Sequence, residues 1–102
     1  MNISYNASED LLTVKLTGEI DHHTAKTTRE EIDRKYKSEG FKDLILDMSS
    51  ITFCDSSGLG LIMGRYKTVK EQEGNLSIKN PSSPVDKMIT LSGMDRFITI
   101  IK

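Results

Sequence analysis

The chain has a single cysteine, no block of one charge and no apolar run long enough to span a bilayer. Each absence excludes something. One cysteine, Cys54, rules out an internal disulfide framework and fits a reducing cytoplasm. The 14 basic and 15 acidic residues are mixed along the chain and leave a net charge of −1. A nucleic-acid binder would show a basic patch or stripe, so direct nucleic-acid binding is not expected. The start, Met1-Asn2-Ile3-Ser4-Tyr5, lacks the charged and apolar layout of a signal peptide. No repeat, linker or low-complexity segment stands out. What remains is 102 residues with 36% hydrophobic and 28% charged content. That is the profile of one globular domain with one core.

Periodicity supplies the elements. Ile3, Tyr5 and Ala7 alternate with polar residues, predicting a first strand. Glu9-Asp10 reads as a turn, and Leu12, Val14 and Leu16 predict a half-buried strand that Gly18 ends. Asp21 is placed to cap a helix running to Tyr36 or Lys37. Ala25, Thr28, Ile32 and Tyr36 form its apolar face. Lys26, Arg29, Glu30, Asp33, Arg34 and Lys37 form its solvated face. Leu44–Met48 reads as a central strand buried on both sides. A helix is expected from Ser57 to Glu73, stopped by Gly74-Asn75, and followed by a strand at Leu76–Lys79. Strand, helix and strand in that order predict a parallel crossover. Ser83 reads as the cap of a third helix with Pro84 in its first turn and Gly93 at its end. Phe97–Ile101 is a last strand. The expected fold is α/β: a mixed β-sheet with helices packed mainly on one face.

The stretch Thr52-Phe53-Cys54-Asp55-Ser56-Ser57-Gly58-Leu59-Gly60 carries the functional information. It is a strand end, a polar turn and a helix start. Helix N-termini expose unpaired N–H groups and a partial positive charge, which suits a phosphate. A nucleophilic serine would need a base and oxyanion donors. The hydrolase elbow sets glycine two residues before and after its serine. Here Cys54 and Asp55 stand in the first of those places, and no motif brings His22 or His23 to the serines. The Gly-Lys-Ser/Thr ending of a nucleotide loop is also missing. Asp55, Ser56 or Ser57 could simply cap the helix, but capping needs one side chain and explains neither the second hydroxyl nor the small residues that follow. Gly60 and Gly64 share a helical face at about 1 kcal/mol each relative to alanine. Either a partner approaches closely there, or the domain's own sheet does. The remaining reading is a docking surface with a serine that another protein phosphorylates, the added charge of about −1.5 to −2 acting at the interface. Adjacent helical residues point about 100° apart, so His22 and His23 make a poor chelating pair and no metal or other cofactor is expected. Cys54, with no basic neighbour in sequence, reads as a buried structural thiol.

These residues resemble a known family. Asp55-Ser56-Ser57-Gly58-Leu59-Gly60, continuing through Gly64-Arg65-Tyr66-Lys67, is similar to the hallmark of STAS-domain anti-sigma factor antagonists. Leu16–Ala25 is similar to their second signature, and Leu91-Ser92-Gly93-Met94 to a third. The double histidine and the Gly-Arg-Tyr-Lys run resemble the sporulation-type, SpoIIAA-like group more than the general-stress type. The resemblance covers essentially the whole chain, as one STAS domain over residues 1–102. It implies a non-enzymatic, cytoplasmic switch. The unphosphorylated form would bind an anti-sigma factor that is also a serine kinase and so release the sigma factor. The kinase, holding ATP and Mg, would phosphorylate Ser56 and end the binding. A serine phosphatase would restore it. Ser57 would then be the helix cap. The partner surface would include Asp21, Asp55, Ser57, Gly58, Leu59, Gly60, Gly64 and Arg65. Arg65 would either make an interface ion pair or only cover apolar surface. The free protein would be a monomer. The alternative is a STAS phospho-switch of a stress-response relay with a different kinase. A serine hydrolase is the third reading.

Overall fold

The computed structural model describes all residues 1–102. In chain order the elements are β1 (Asn2–Ser8), β2 (Leu11–Ile20), α1 (His22–Ser38), β3 (Asp43–Cys54), α2 (Ser56–Glu71), β4 (Leu76–Lys79), α3 (Ser83–Ser92) and β5 (Thr99–Ile101). The five strands form one sheet in the order β1-β2-β3-β4-β5. β1 and β2 are an antiparallel hairpin. The three remaining pairs are parallel, each joined by a helical crossover. The mixed sheet expected from the sequence is therefore present, with its helices on one face.

Alternation decides which face that is. Leu12, Val14 and Leu16 of β2, Leu44, Leu46 and Met48 of β3, and Ile78 of β4 are buried under the helices. Their neighbours Thr13, Ile45 and Asp47 point the other way and are only half-buried. β3 is thus covered on one face and partly open on the other, not buried on both as its apolar run implied. On the open face Lys15, Asp47 and Lys79 lie in register across three strands. Opposite charges so placed support the pairing by a few tenths of a kcal/mol. α1 contributes Thr28, Ile32 and Tyr36 to the core, the face its sequence predicts. The Tyr36 hydroxyl donates to Lys42 O at 2.5 Å and ties the end of α1 to the start of β3.

Two irregularities in the β2–β3 pairing shape the end of the sheet that leads into the serine turn. Lys15 pairs with Asp47 but Thr17 pairs with Ser50, and Gly18 pairs with Ile51 but Glu19 pairs with Phe53. Each step inserts one extra residue in β3, as a bulge does. The first is braced by Asp47, whose Oδ1 accepts from Ser49 N at 3.1 Å and Ser49 Oγ at 2.7 Å. It shifts the parity of the strand, so Ile51 rather than Ser50 enters the core. That broken alternation is why the apolar run at Leu44–Met48 and the strand end at Thr52–Cys54 read as separate pieces of what is one strand, Asp43–Cys54. Gly18 does not end β2 either. It sits at the bulged stretch with φ +126°, a backbone region that favours glycine. The strand continues to Ile20, which pairs with Cys54.

Three further boundaries differ from expectation. α2 closes with Glu73, not Gly74, in the left-handed region, at φ 58°. Gly74 is needed for another reason: a Cβ there would collide with Lys42 O. α3 is capped at Ser82, one residue earlier than the expected Ser83, and that cap makes no side-chain hydrogen bond. Gly93 closes α3 at φ 77°, as predicted. Phe97 lies before β5, after a 3-10 turn at Met94–Arg96, and meets Tyr66 edge-on at 5.2 Å.

Candidate functional site

Because Ile20 pairs with Cys54, the residues that follow them are neighbours. Asp55 N donates to Ile20 O at 3.1 Å. Both chains then turn into helices at the carboxyl ends of parallel strands, the usual place for a functional site in an α/β sheet. Each helix starts on an aspartate. Asp21 Oδ1 accepts from His23 N at 2.9 Å and Thr24 N at 3.0 Å, and Thr24 Oγ1 accepts from Asp21 N at 3.0 Å. This is a reciprocal capping box with threonine in the place of the usual glutamate or glutamine. The N–H donors, Thr24 first, hold the Asp21 carboxyl below its ordinary pKa.

Asp55 caps α2, its Oδ1 accepting from Ser57 N at 2.7 Å. The expectation that Ser57 is the cap is corrected here. A carboxylate matches the positive helix end better than a neutral hydroxyl does. Ser56 and Ser57 are the first two helical residues, and neither hydroxyl is committed to a hydrogen bond within the domain. Ser56 is exposed and Ser57 half-buried. Ser56 stands on the rim of a cleft of about 410 Å³ between α2 and α3. Cys54, Leu59, Pro84, Met88 and Leu91 give the cleft apolar walls, and Lys87 stands at its edge. Leu91 is 79% exposed and extends the apolar wall outward toward solvent. The α3 wall was missed in the sequence. It lies some thirty residues away, and no local pattern links it to the serine turn.

The other expected site residues divide sharply. Leu59 lines the cleft. Gly58 is buried, and a Cβ on it would overlap Cys54 Sγ. Its lack of a side chain serves internal packing and offers no surface. Burial and the adjacent Asp55 push the Cys54 thiol up to about 11, so it stays protonated at neutral pH. Gly60 and Gly64 are the opposite case: a Cβ at either meets nothing within 4 Å. The alternative that they admit the domain's own sheet is removed. Gly64→Ala is therefore expected to stabilise the isolated domain by about 0.5–1 kcal/mol. A thermal melt reads this as a rise of a few degrees, and a fall would reveal a contact at that face.

Arg65 is also placed differently from expectation. It is 4% exposed, with Nε 2.8 Å from Asp33 Oδ1 on α1 and Nη1 donating to Leu61 O at 3.3 Å. The Nε–carboxylate contact is an ion pair without the alignment of a full hydrogen bond. Burial lowers the guanidinium pKa and the Asp33 charge works against that. Asp33, expected on the solvated face of α1, turns in to meet it. Arg65 thus joins α1 to α2 rather than facing a partner. His22 and His23 are exposed, with ring centroids 5.8 Å apart and planes inclined by 68°. No hydrogen bond connects either ring to a serine.

Comparison with known proteins bears on this arrangement. The model of the STAS domain matches residues 2–102. The chain is 31% identical over 100 residues to an anti-sigma F factor antagonist of Paenibacillus polymyxa, covering 98% of this chain and 86% of that one. It is 30% identical over 100 residues to an anti-sigma-B factor antagonist of Bacillus subtilis (strain 168), with coverages of 98% and 90%. Its fold superimposes on the unphosphorylated form of the anti-sigma factor antagonist SpoIIAA with a TM-score of 0.82. That likeness is at 25% identity and covers 99% of this chain and 89% of the other.

Proposed function

The chain belongs to the STAS-domain family of anti-sigma factor antagonists, and from that premise we propose that Ser56 is the phosphorylated residue of a partner switch. Members of this family are regulatory antagonists rather than enzymes. In its unphosphorylated form this protein docks the start of α2 on an anti-sigma factor that is also a serine kinase, and the sigma factor is released. The docking surface takes in the Asp21 and Asp55 turns, Ser57, Leu59 and the bare backbone at Gly60 and Gly64. The kinase holds ATP and Mg and supplies the base. The Ser56 oxygen attacks the γ-phosphorus, the hydroxyl proton passes to the kinase and ADP leaves. A serine phosphatase reverses the modification by hydrolysis. The setting is the cytoplasm, and the free protein is a monomer.

One observation carries this reading. Asp55 takes over the capping role, which leaves the exposed Ser56 hydroxyl free in the first turn of α2. A phosphate there is compatible with the fold, because the helix end favours negative charge. Asp55 offsets part of that gain by repulsion. The modification therefore acts at the interface and not on the domain. The sporulation-type partner, the kinase opposing sigma F, is the first choice on the double histidine and the Gly-Arg-Tyr-Lys run. The general-stress partner, opposing sigma B, is the second reading, since identities of 31% and 30% favour the two almost equally.

The test is intact mass after incubation with ATP-Mg and the anti-sigma kinase of the same organism, with Ser56→Ala in parallel. One phosphate on the parent and none on the variant is expected. Phosphate on both would move the site to Ser57. No phosphate on either, with no complex formed, would reject this partner.

A further inference from the structure

On the other side of α2 from the apolar cleft lies a second groove, against α1, of about 350 Å³. His22, Lys26 and Arg29 form one wall, at i, i+4 and i+7 on a single stripe of α1. Ser57, Gly60 and Leu61 of α2 form the other. No carboxylate lines it. The acids beside it are engaged: Asp21 caps α1, Asp55 caps α2 through the Ser57 N–H, and Asp33 pairs with Arg65. Lys26 and Arg29 are exposed and neither takes part in an ion pair. The lining therefore carries the positive charges of Lys26 and Arg29 and no acid, although the chain as a whole is slightly acidic.

The floor of the groove is as telling as its wall. Gly60 presents bare helix backbone, and a side chain there would meet nothing of this domain. A glycine in a helix is unfavourable unless something else uses the space. An approaching main chain would use it. We infer that the α1–α2 groove receives an acidic segment of the partner protein, its carboxylates facing Lys26 and Arg29 and its backbone passing over Gly60. Three cationic or titratable side chains are too few for a nucleic-acid track, which favours a peptide. The identity of the partner as the kinase rests on the preceding reading; the chemistry of the groove does not.

Two measurements on the whole domain separate these. The first is titration with hexaglutamate at low ionic strength, followed by amide chemical shifts. Saturable shifts confined to the region of His22, Lys26, Arg29, Ser57 and Gly60 are expected, and they should vanish in the Lys26→Glu/Arg29→Glu variant. Both substitutions are on exposed positions, and the variant's own spectrum checks its fold. Shifts spread over remote lysines such as Lys15, Lys79 and Lys102 would overturn the proposal. So would equal shifts with inorganic phosphate, which would mean a simple anion site. The second is affinity for the anti-sigma kinase. The double variant should bind at least about tenfold more weakly and lose most of the salt dependence. Unchanged binding of the variant, with the parent binding, would defeat the acidic segment and leave the partner intact. If the parent binds no kinase, the partner reading fails and the peptide titration alone decides the groove.

Discussion

Aspartate in place of Ser56 is expected to leave the domain folded and to weaken its complex with the anti-sigma kinase by about 2–5 kcal/mol, roughly 30- to 4,000-fold. The two effects separate because they arise in different places. Within the domain the new carboxylate sits in the first turn of α2, where the helix end favours it and Asp55 opposes it. Ser56 is exposed, so water solvates the added charge in the free protein. In the complex the same charge would be pressed against a cleft walled by Cys54, Leu59, Met88 and Leu91. A desolvated carboxylate is costly, and pairing it with Lys87, the one cation lining the cleft, would require that charge to be desolvated as well. Titration calorimetry against the kinase measures the loss. Ser56→Ala should bind as the parent does, and Ser56→Asn separates charge from shape. If the asparagine variant is as weak as the aspartate variant, steric fit and not charge controls the switch.

Removal of Asp33 should give the largest loss of stability. Asp33→Ala leaves the Arg65 guanidinium 4% exposed with no counter-charge. Breaking a buried pair from one side costs about 3–5 kcal/mol. The Asp33 side chain is 26% exposed, and water can partly screen the orphaned charge, so about 2–3 kcal/mol is expected here. Urea unfolding checks this. Arg65→Met alone should cost less, because the neutral chain keeps the packing against α1 without a charge to desolvate. In the Asp33→Ala background, Arg65→Met should recover most of the loss. A double variant no better than Asp33→Ala would show that Asp33 acts by another route. Because Arg65 serves the α1–α2 contact, Arg65→Met should retain kinase binding once folded.

Much of this was legible in the sequence. Leu12, Val14 and Leu16, and Thr28, Ile32 and Tyr36, declare a strand and a helix face by spacing alone. Asp21 and Gly93 cap and close their helices where expected. The serine turn falls at the head of α2, where the sequence places it. Such features depend on contacts between residues two to four apart, and the local order of residue types suffices to determine them. The tertiary structure decided the rest. The bulge at Ser49 depends on how β3 lies against β2, so the alternation that breaks there hides the continuity of the strand between Met48 and Thr52. Whether Asp55 or Ser57 caps α2 depends on the angle at which the chain leaves that strand. Gly58 is filled by a thiol four residues back, and Gly60, two residues on, is left open. Arg65 is charged and polar in the sequence and buried in the fold, because Asp33 of another helix meets it. The wall of Met88 and Leu91 beside Ser56 comes from a third helix. The sequence by itself determined the elements, the family signature and the place of the serine. Only packing between distant segments decided which of several similar residues enter the core, cap a helix or face solvent, because burial and charge compensation are properties of neighbours in space.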